Sequence, residues 1–528
     1  MLAASKTVGQ MQIMLPFAMA GFVILFLAHA SIVLALGALL FVGFLAFMLR
    51  WPDMGTLVVL FAIYSNISVL AMRSQNAVQL TAGPADKNPR VAIVLAGLCL
   101  LLIVPLVYHL FIRKEKLIFD RGFVLMLALL VVYLLSSLFA SDTRIVESQV
   151  SGYVLEGLAL YFLITNVVRD VSTLRRVTWT LLLAGNLMAG LSVFQKVTHT
   201  EKNIYGGLAQ ISSDFELDAG REGARNASIG QNGELVGQVR AAGPIGETNR
   251  YGQMLVVLLP LGVLRFCTES SRRLRLLALV SVCLILGALF LTLSRGSLVA
   301  ALAIFLLMAG MRLLKLRQVI VATVVVGLFI VVVEPEVLWR LASLERLTGL
   351  FFRQSAAAQA PDSSAVRRYV LNVATWHVFL DHPLLGVGPG QFSAHYSAEY
   401  GNRVGLIEQR KTYRGHNMYL ETLAETGLVG LLSFLSIIFV IMRGLWKARG
   451  RLKRIRPDLA ATASAFLLCL AAYGISAIFD HLAYQRYLWL LLALSSATIR
   501  IVHSHSSGMV NERAVLTSKQ CLAENRNA

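Results

Sequence analysis

The 528-residue chain is 57% hydrophobic and only 15% charged, with a mean hydropathy of +0.68. A soluble protein carries about 25% charged residues, so this composition excludes a water-soluble globular fold. The formal charge of +19 does not signal nucleic-acid binding, because the basic residues are spread over short loops between apolar runs, as the positive-inside rule requires.

Apolar runs approaching the ~20 residues that cross hydrocarbon recur along the whole chain. They predict an all-α, polytopic integral membrane protein with about fourteen transmembrane helices. Spans are expected near 13–29, 31–49, 55–72, 91–112, 123–140, 152–168, 177–196, 251–267, 276–294, 296–311, 318–334, 417–442, 459–479 and 483–502. The first is preceded only by Lys6 and lacks a small-residue cleavage site, so it reads as a retained span and not as a removed signal peptide. The resulting organisation is a cytoplasmic N-terminus (1–12), N-terminal membrane helices (13–196), a periplasmic loop (197–250) and membrane helices turning at Arg295 (251–334). A large, partly helical periplasmic loop before His416 (335–416), C-terminal membrane helices (417–502) and a disordered cytoplasmic tail (503–528) complete it.

Threading the loops alternately places the basic clusters on one side: Arg113, Lys114 and Lys116; Arg272, Arg273 and Arg275; Arg312, Lys315 and Arg317; and the group from Arg443 to Arg456. The apolar run 276–310 tests this threading. As one helix it would be about 50 Å long, too long for a ~30 Å core. A turn at Ser294-Arg295-Gly296 divides it and puts Arg295 at the outer face. The polar segment 197–250, rich in Gly, Ser and Asn, is expected to be mostly irregular. Within 335–416 a helix is expected over 364–380, with Trp376 and Phe379 able to lie on the membrane surface. A glycine- and proline-rich turn over 381–392 follows it. The five cysteines form no CxxC pattern and no disulfide framework.

Four groups of polar residues stand where loops meet spans. Arg240 opens the run Arg-Ala-Ala-Gly-Pro-Ile-Gly-Glu-Thr-Asn-Arg-Tyr251, where it and Arg250 could grip phosphate or simply be solvated, and Asn249 is a candidate N-cap. Arg295 on its short turn could bind an anion or snorkel to the interface. His416, followed by the N-cap candidate Asn417, could act as a general base or bond to loop backbone. Glu421 and Glu425 share one helix face and are expected to serve structure more than chemistry. Asp480 and His481, in the turn between the last two spans, are lesser candidates; His503 and His505 are expected to be uninvolved. No phosphate-binding GxxxxGK[ST] loop or HExxH pattern occurs. Span interiors almost devoid of charge argue against, without excluding, an ion-coupled transporter.

Four segments in order carry a family resemblance: Arg240-Ala-Ala-Gly with Asn249 and Tyr251; Ser294-Arg295-Gly296; Arg368, Trp376 and His382-Pro-Leu-Leu-Gly-Val-Gly-Pro-Gly390; and His416-Asn417 with Glu425-Thr-Gly-Leu-Val-Gly430. Together they resemble the O-antigen ligase and Wzy-type polymerase superfamily of bacterial envelope glycosyltransferases. The resemblance covers roughly residues 240–489. It implies an inverting transfer of a glycan from undecaprenyl diphosphate to an acceptor hydroxyl, on another glycan or on lipid A-core, at the periplasmic face of the inner membrane. By the same resemblance, Arg240 and Arg295 would neutralise the leaving diphosphate and His416 would take the acceptor proton. Arg368, Asn417, Arg250 and Arg414 would be substrate contacts. The activated donor implies no cofactor and no metal, and other envelope polysaccharide assembly proteins are conceivable partners. Ligation, polymerisation and protein O-glycosylation share these motifs. A multi-span solute transporter and a non-catalytic scaffold are the rivals from other classes.

Overall fold

The computed structural model describes residues 32–72, 89–201, 203–213, 228–229, 235–236, 239–314, 317, 363–392, 396, 399–400, 403, 414–453, 455–481 and 486–505. The helices relevant here are α1 (Ile32–Arg50), α2 (Pro52–Tyr64), α3 (Val94–Ile112), α4 (Arg121–Ser136), α5 (Thr143–Val167) and α6 (Val171–Val197). They continue with α7 (Thr248–Thr268), α8 (Arg272–Leu291), α9 (Arg295–Gly310), α10 (Ser363–Asp381), α11 (Met418–Leu452), α12 (Pro457–Ser476) and α13 (Arg486–His505). Among the described residues nine helices are long and apolar enough to cross a membrane, fewer than the fourteen expected. Three further expected spans are present as shorter apolar helices, Leu39–Arg50, Pro52–Tyr64 and Arg295–Gly310. The expected spans 13–29 and 318–334, and the tail beyond 505, lie outside the described residues.

Burial separates inner from outer helices. The apolar windows of α7, α12 and α13 are 83%, 78% and 72% buried, against 28% for α8 and α11, so α7 and α12 form the axis on which the bundle packs. Lipid tails are as apolar as leucine, so helices in a bilayer associate through close packing and small residues more than through water exclusion. Gly252 on α7 illustrates this: a β-carbon there would stand 2.4 Å from the Ser297 hydroxyl of α9, so only hydrogen lets those two helix starts meet.

The apolar run 276–310 is broken where the turn was expected. α8 ends at Leu291, Leu293 takes a left-handed conformation (φ 50°), and Ser294 caps α9 by accepting from the Ser297 N–H. The loop before α7 departs from the irregular, all-α expectation. Strands β1 (Gln210–Ser213) and β4 (Val239–Gly243) pair antiparallel, with Ser212 opposite Arg240, and β2 (Ser228–Ile229) pairs with β3 (Leu235–Val236). The β1–β4 partners are distant in sequence and short, so no local alternation announces them.

Helix α11 is not continuous. Gly427 has φ 66° and ψ −168°, a conformation essentially confined to glycine, and the carbonyls of Ala424 and Glu425 are released from the helical ladder. They accept instead from the backbone N–H groups of Val387 and Gly388, at 3.1 and 2.9 Å, in the turn that follows α10. Leu428 and Val429 donate back to Pro383 and Leu384. Glycine makes the turn's path possible, since Gly386, Gly388 and Gly390 all have positive φ. Gln391 then fastens the turn to the N-terminal half, its side-chain amide accepting from the Asp142 N–H and donating to the Asp142 carbonyl at 3.1 and 2.9 Å.

Candidate functional site

The polar ends gather where α7, α9 and α11 begin. Arg240, half-buried on β4, donates through Nε to the Thr292 carbonyl at 2.9 Å and through Nη2 to the Leu293 carbonyl at 3.4 Å. Those carbonyls lie past the end of α8, where helical acceptors lack partners, so the guanidinium is locked in orientation. Burial lowers its pKa to about 10, and the neighbouring Arg295 guanidinium acts in the same direction; it still carries its charge at neutral pH. Arg295 occupies the first position of α9. Sequence reading placed both arginines beside chemistry, and the fold brings them into electrostatic contact although 55 positions separate them. A like-charged pair is costly unless an anion lies between its members, and such perturbed pairs mark candidate sites.

The first turn of α7 joins this pair to a second group. Asn249 was expected to cap α7, but the helix begins two residues earlier with Glu247 at the N-cap position. The Asn249 side chain instead accepts from the Ser294 hydroxyl at 2.9 Å, tying the start of α7 to the start of α9. Glu247 makes no side-chain cap; both its oxygens lie 3.0 Å from His481 Nε2. Burial alone would raise the Glu247 carboxyl, but His481, Arg250 and His416 hold it well below the usual carboxylate range. The ring of His416 stands 6.2 Å from that of His481.

Arg250 is buried and donates to the Gln253 side chain and to the His481 carbonyl. These contacts make it the bolt that holds the 477–481 turn against α7. Asp480 in that turn is buried, and burial raises its carboxyl while Arg250 opposes the shift. Arg368, on α10, lies within electrostatic reach of Asp480, which brings a fourth expected arginine to the same end of the bundle.

His416 is positioned from two sides. Asn417 caps α11 as expected, its Oδ1 accepting from the Tyr419 and Leu420 N–H groups at 3.0 and 3.2 Å. The next residue, Met418, donates its N–H to the Ala477 carbonyl at 3.0 Å. Glu421 and Glu425 are both buried. The Glu425 carboxylate accepts from the backbone of Gly390 and Phe392, with Arg414 in electrostatic reach. Glu425 therefore anchors the 381–392 turn, and Arg414 faces that anchor.

Thus Arg240 and Arg295 form one group, and His416, Arg250 and Arg368 belong to a second, joined to it through α7. Glu247 and His481 are central to the second group, and sequence reading did not single out the first or weigh the second highly. Their contact links positions 234 residues apart. The available signal was an acidic residue and an Asp-His pair, each at the mouth of a span, where polar groups are seldom incidental. Chemically, the starts of three helices converge here. Each contributes about half a positive charge at its N-terminus and unbonded N–H groups, which together with arginines suit an anion. Two imidazole rings, those of His416 and His481, stand at the same end of the bundle.

The family model described as O-antigen ligase matches residues 255–435, which run from the first turns of α7 to the middle of α11. That match supports the O-antigen ligase superfamily for this part of the chain. No curated protein matches the chain in sequence.

Proposed function

With residues 255–435 carrying an O-antigen ligase domain, we propose that this protein is a glycosyltransferase of the bacterial inner membrane. It moves a glycan from undecaprenyl diphosphate to an acceptor hydroxyl at the periplasmic face. The observation that carries the reading is the Arg240–Arg295 pair set among converging helix starts and joined through α7 to the His416–His481 pair. The family match supports glycosyl transfer in a membrane with a lipid-linked glycan substrate.

In this mechanism the donor diphosphate lies against Arg240 and Arg295. As the anomeric carbon–oxygen bond breaks, its electron pair passes to the diphosphate. The preorganised guanidinium groups and helix N-termini stabilise that charge without reorganising. The acceptor oxygen attacks the opposite side of the anomeric carbon, which inverts the configuration, and its proton passes to His416. Arg250, Asn417 and Arg414 act by fixing the backbone that carries these groups, and Arg368 contributes to the charge that faces substrate. The basic clusters of the opposite loops support the periplasmic placement of this end. The full set of about fourteen spans belongs to the same proposal.

The test is genetic and chemical. A strain lacking the gene is complemented with wild type, Arg240→Ala, Arg295→Ala or His416→Ala, and its lipid-linked intermediates are analysed. Accumulation of single-repeat lipid-linked species identifies polymerisation, and accumulation of full-length lipid-linked polymer identifies ligation. Unchanged intermediates in the deletion strain, or full complementation by all three variants, would refute the proposal.

A further inference from the structure

A polar cavity of about 210 Å³ lies between the start of α6, the end of α7 and the start of α12. Arg265 in its wall stands about 22 Å along α7 from Arg250, at ~1.5 Å per residue, so the cavity is at the opposite end of the bundle from the candidate site. The wall carries two guanidinium groups, Arg175 on α6 and Arg265 on α7, and two carboxylates, Glu269 just past α7 and Asp458 on α12. Glu269 is buried and shared: Arg175 bonds one of its oxygens, and Arg265 reaches the other only at 3.5 Å, beyond the usual hydrogen-bond range. Arg265 turns its Nε and Nη2 to the Thr178 hydroxyl, at 3.0 and 2.7 Å. Asp458 is held by Arg456, at 3.1 and 3.0 Å. Arg275 donates to the Glu269 carbonyl at 3.2 Å. Among the described residues, four arginines thus surround two carboxylates here.

We propose that this cavity binds the phosphate of an anionic phospholipid of the cytoplasmic leaflet, with Arg175 and Arg265 as its ligands. The proposal does not depend on the glycosyl-transfer reading. Arg265 is only 11% exposed, and a guanidinium so withdrawn from water needs a counter-charge or ordered water beside it. The planar donors of two arginines match phosphate oxygens, and Arg175, half-exposed at the cavity wall, leaves the way in open. The rim favours a lipid over a free anion. Phe266, next to Arg265, is 37% exposed, and Ile455, next to Arg456, is 50% exposed, so apolar surface borders the charged wall. The basic clusters Arg272–Arg275 and Arg443–Arg456 adjoin this end, as expected of a cytoplasmic surface, where anionic lipid attracts them. A headgroup seated here ties α6, of the N-terminal half, to α7 and α12, the axis of the bundle. It competes with Glu269 for both guanidinium groups, so neutralising that carboxylate strengthens binding.

The experiment titrates delipidated full-length protein in detergent with phosphatidylglycerol and reads the affinity of the first bound lipid by native mass spectrometry. Arg175→Gln should weaken it about tenfold or more, as for a lost hydrogen bond to a charged group. Glu269→Gln should strengthen it, and supplies a second readout should Arg175→Gln lower the thermal midpoint of the lipid-free protein. Arg176→Gln removes the same charge one residue away, where Arg176 pairs with Asp53 at 3.8 Å and does not line the cavity; affinity should stay at the wild-type value. Equal weakening by the Arg175 and Arg176 substitutions would reveal general charge attraction and overturn the site. An affinity unchanged or lowered by Glu269→Gln would overturn the competition on which it stands. Equal affinity for phosphatidylethanolamine, displacement of the lipid by inorganic phosphate, or no retained lipid at all would each overturn the assignment to an anionic phospholipid.

Discussion

Gly427→Ala is the perturbation whose cost can be worked most directly from the structure. Outside glycine, the conformation at φ 66°, ψ −168° costs about 1–3 kcal/mol. The added methyl would also stand 2.2 Å from the Leu384 carbonyl oxygen and 2.5 Å from the Leu385 nitrogen. Both are backbone atoms, so no rotamer change relieves the clash; the 381–392 turn must part from α11. Parting costs part of the four backbone hydrogen bonds from Val387, Gly388, Leu428 and Val429, each worth about 0.5–1.5 kcal/mol net. Strain plus two such bonds comes to about 2–6 kcal/mol, comparable with the whole stability of a typical domain. Thermal unfolding of the full-length protein in detergent should show a lowered midpoint. Limited proteolysis should show cleavage in the 381–392 turn that wild type resists. A variant with unchanged midpoint and unchanged protection would refute the claim that this glycine lets the turn dock.

Other outcomes follow from individual contacts. Arg240→Lys keeps the charge but loses the planar fork that spans the Thr292 and Leu293 carbonyls. Turnover of lipid-linked donor should fall by about 10²–10³-fold, and near wild-type turnover would show that a point charge suffices. The Glu247 carboxyl is held below its ordinary range chiefly by His481, against burial, so the folded protein binds fewer protons there than the unfolded chain. The stability it lends is present above the unfolded carboxylate pKa and lost as pH falls below about 4; Glu247→Gln should flatten that acid loss in thermal midpoints, and an identical slope would contradict the pairing. Asp480 has the opposite sign, because burial raises its carboxyl. Its penalty is absent below about pH 4 and grows as pH rises through the raised value, so Asp480→Asn should gain stability over wild type toward neutral pH. A loss there would mean that attraction to Arg250 outweighs burial. Gln391→Ala leaves the Asp142 N–H and carbonyl without their partner and should cost about 1–3 kcal/mol, read as a lower unfolding midpoint.

What could be read in the sequence was what local chemistry determines. The Asn417 cap depends on two N–H groups within three residues, and the break at Ser294 followed from length against bilayer thickness. Asn249 was misassigned because Glu247, Thr248 and Asn249 offer adjacent starts, and the choice was made by the distant Ser294 hydroxyl. Gly427 lies between the polar pair Glu425-Thr426 and the apolar run that follows, where nothing local separates a helical glycine from one at positive φ. The Glu247–His481 contact is likewise tertiary. The charge pattern predicts that Arg240, Arg295 and His416 share one side of the membrane. Their grouping around the starts of α7, α9 and α11 required the packing of those helices, which sequence periodicity does not encode.

The central claim is that the arginine pair and His416 act on one lipid-diphosphate donor, and purified protein tests it most directly. Wild type, Arg295→Ala and His416→Ala are reconstituted in vesicles with an undecaprenyl-diphosphate-linked glycan and an acceptor glycan or lipid A-core, and product is followed by mass. Wild type is expected to release undecaprenyl diphosphate together with extended acceptor. Arg295→Ala should lose both donor capture and product, whereas His416→Ala should still bind donor but form no product. Product formation by His416→Ala at the wild-type rate, or donor capture undiminished in Arg295→Ala, would contradict it.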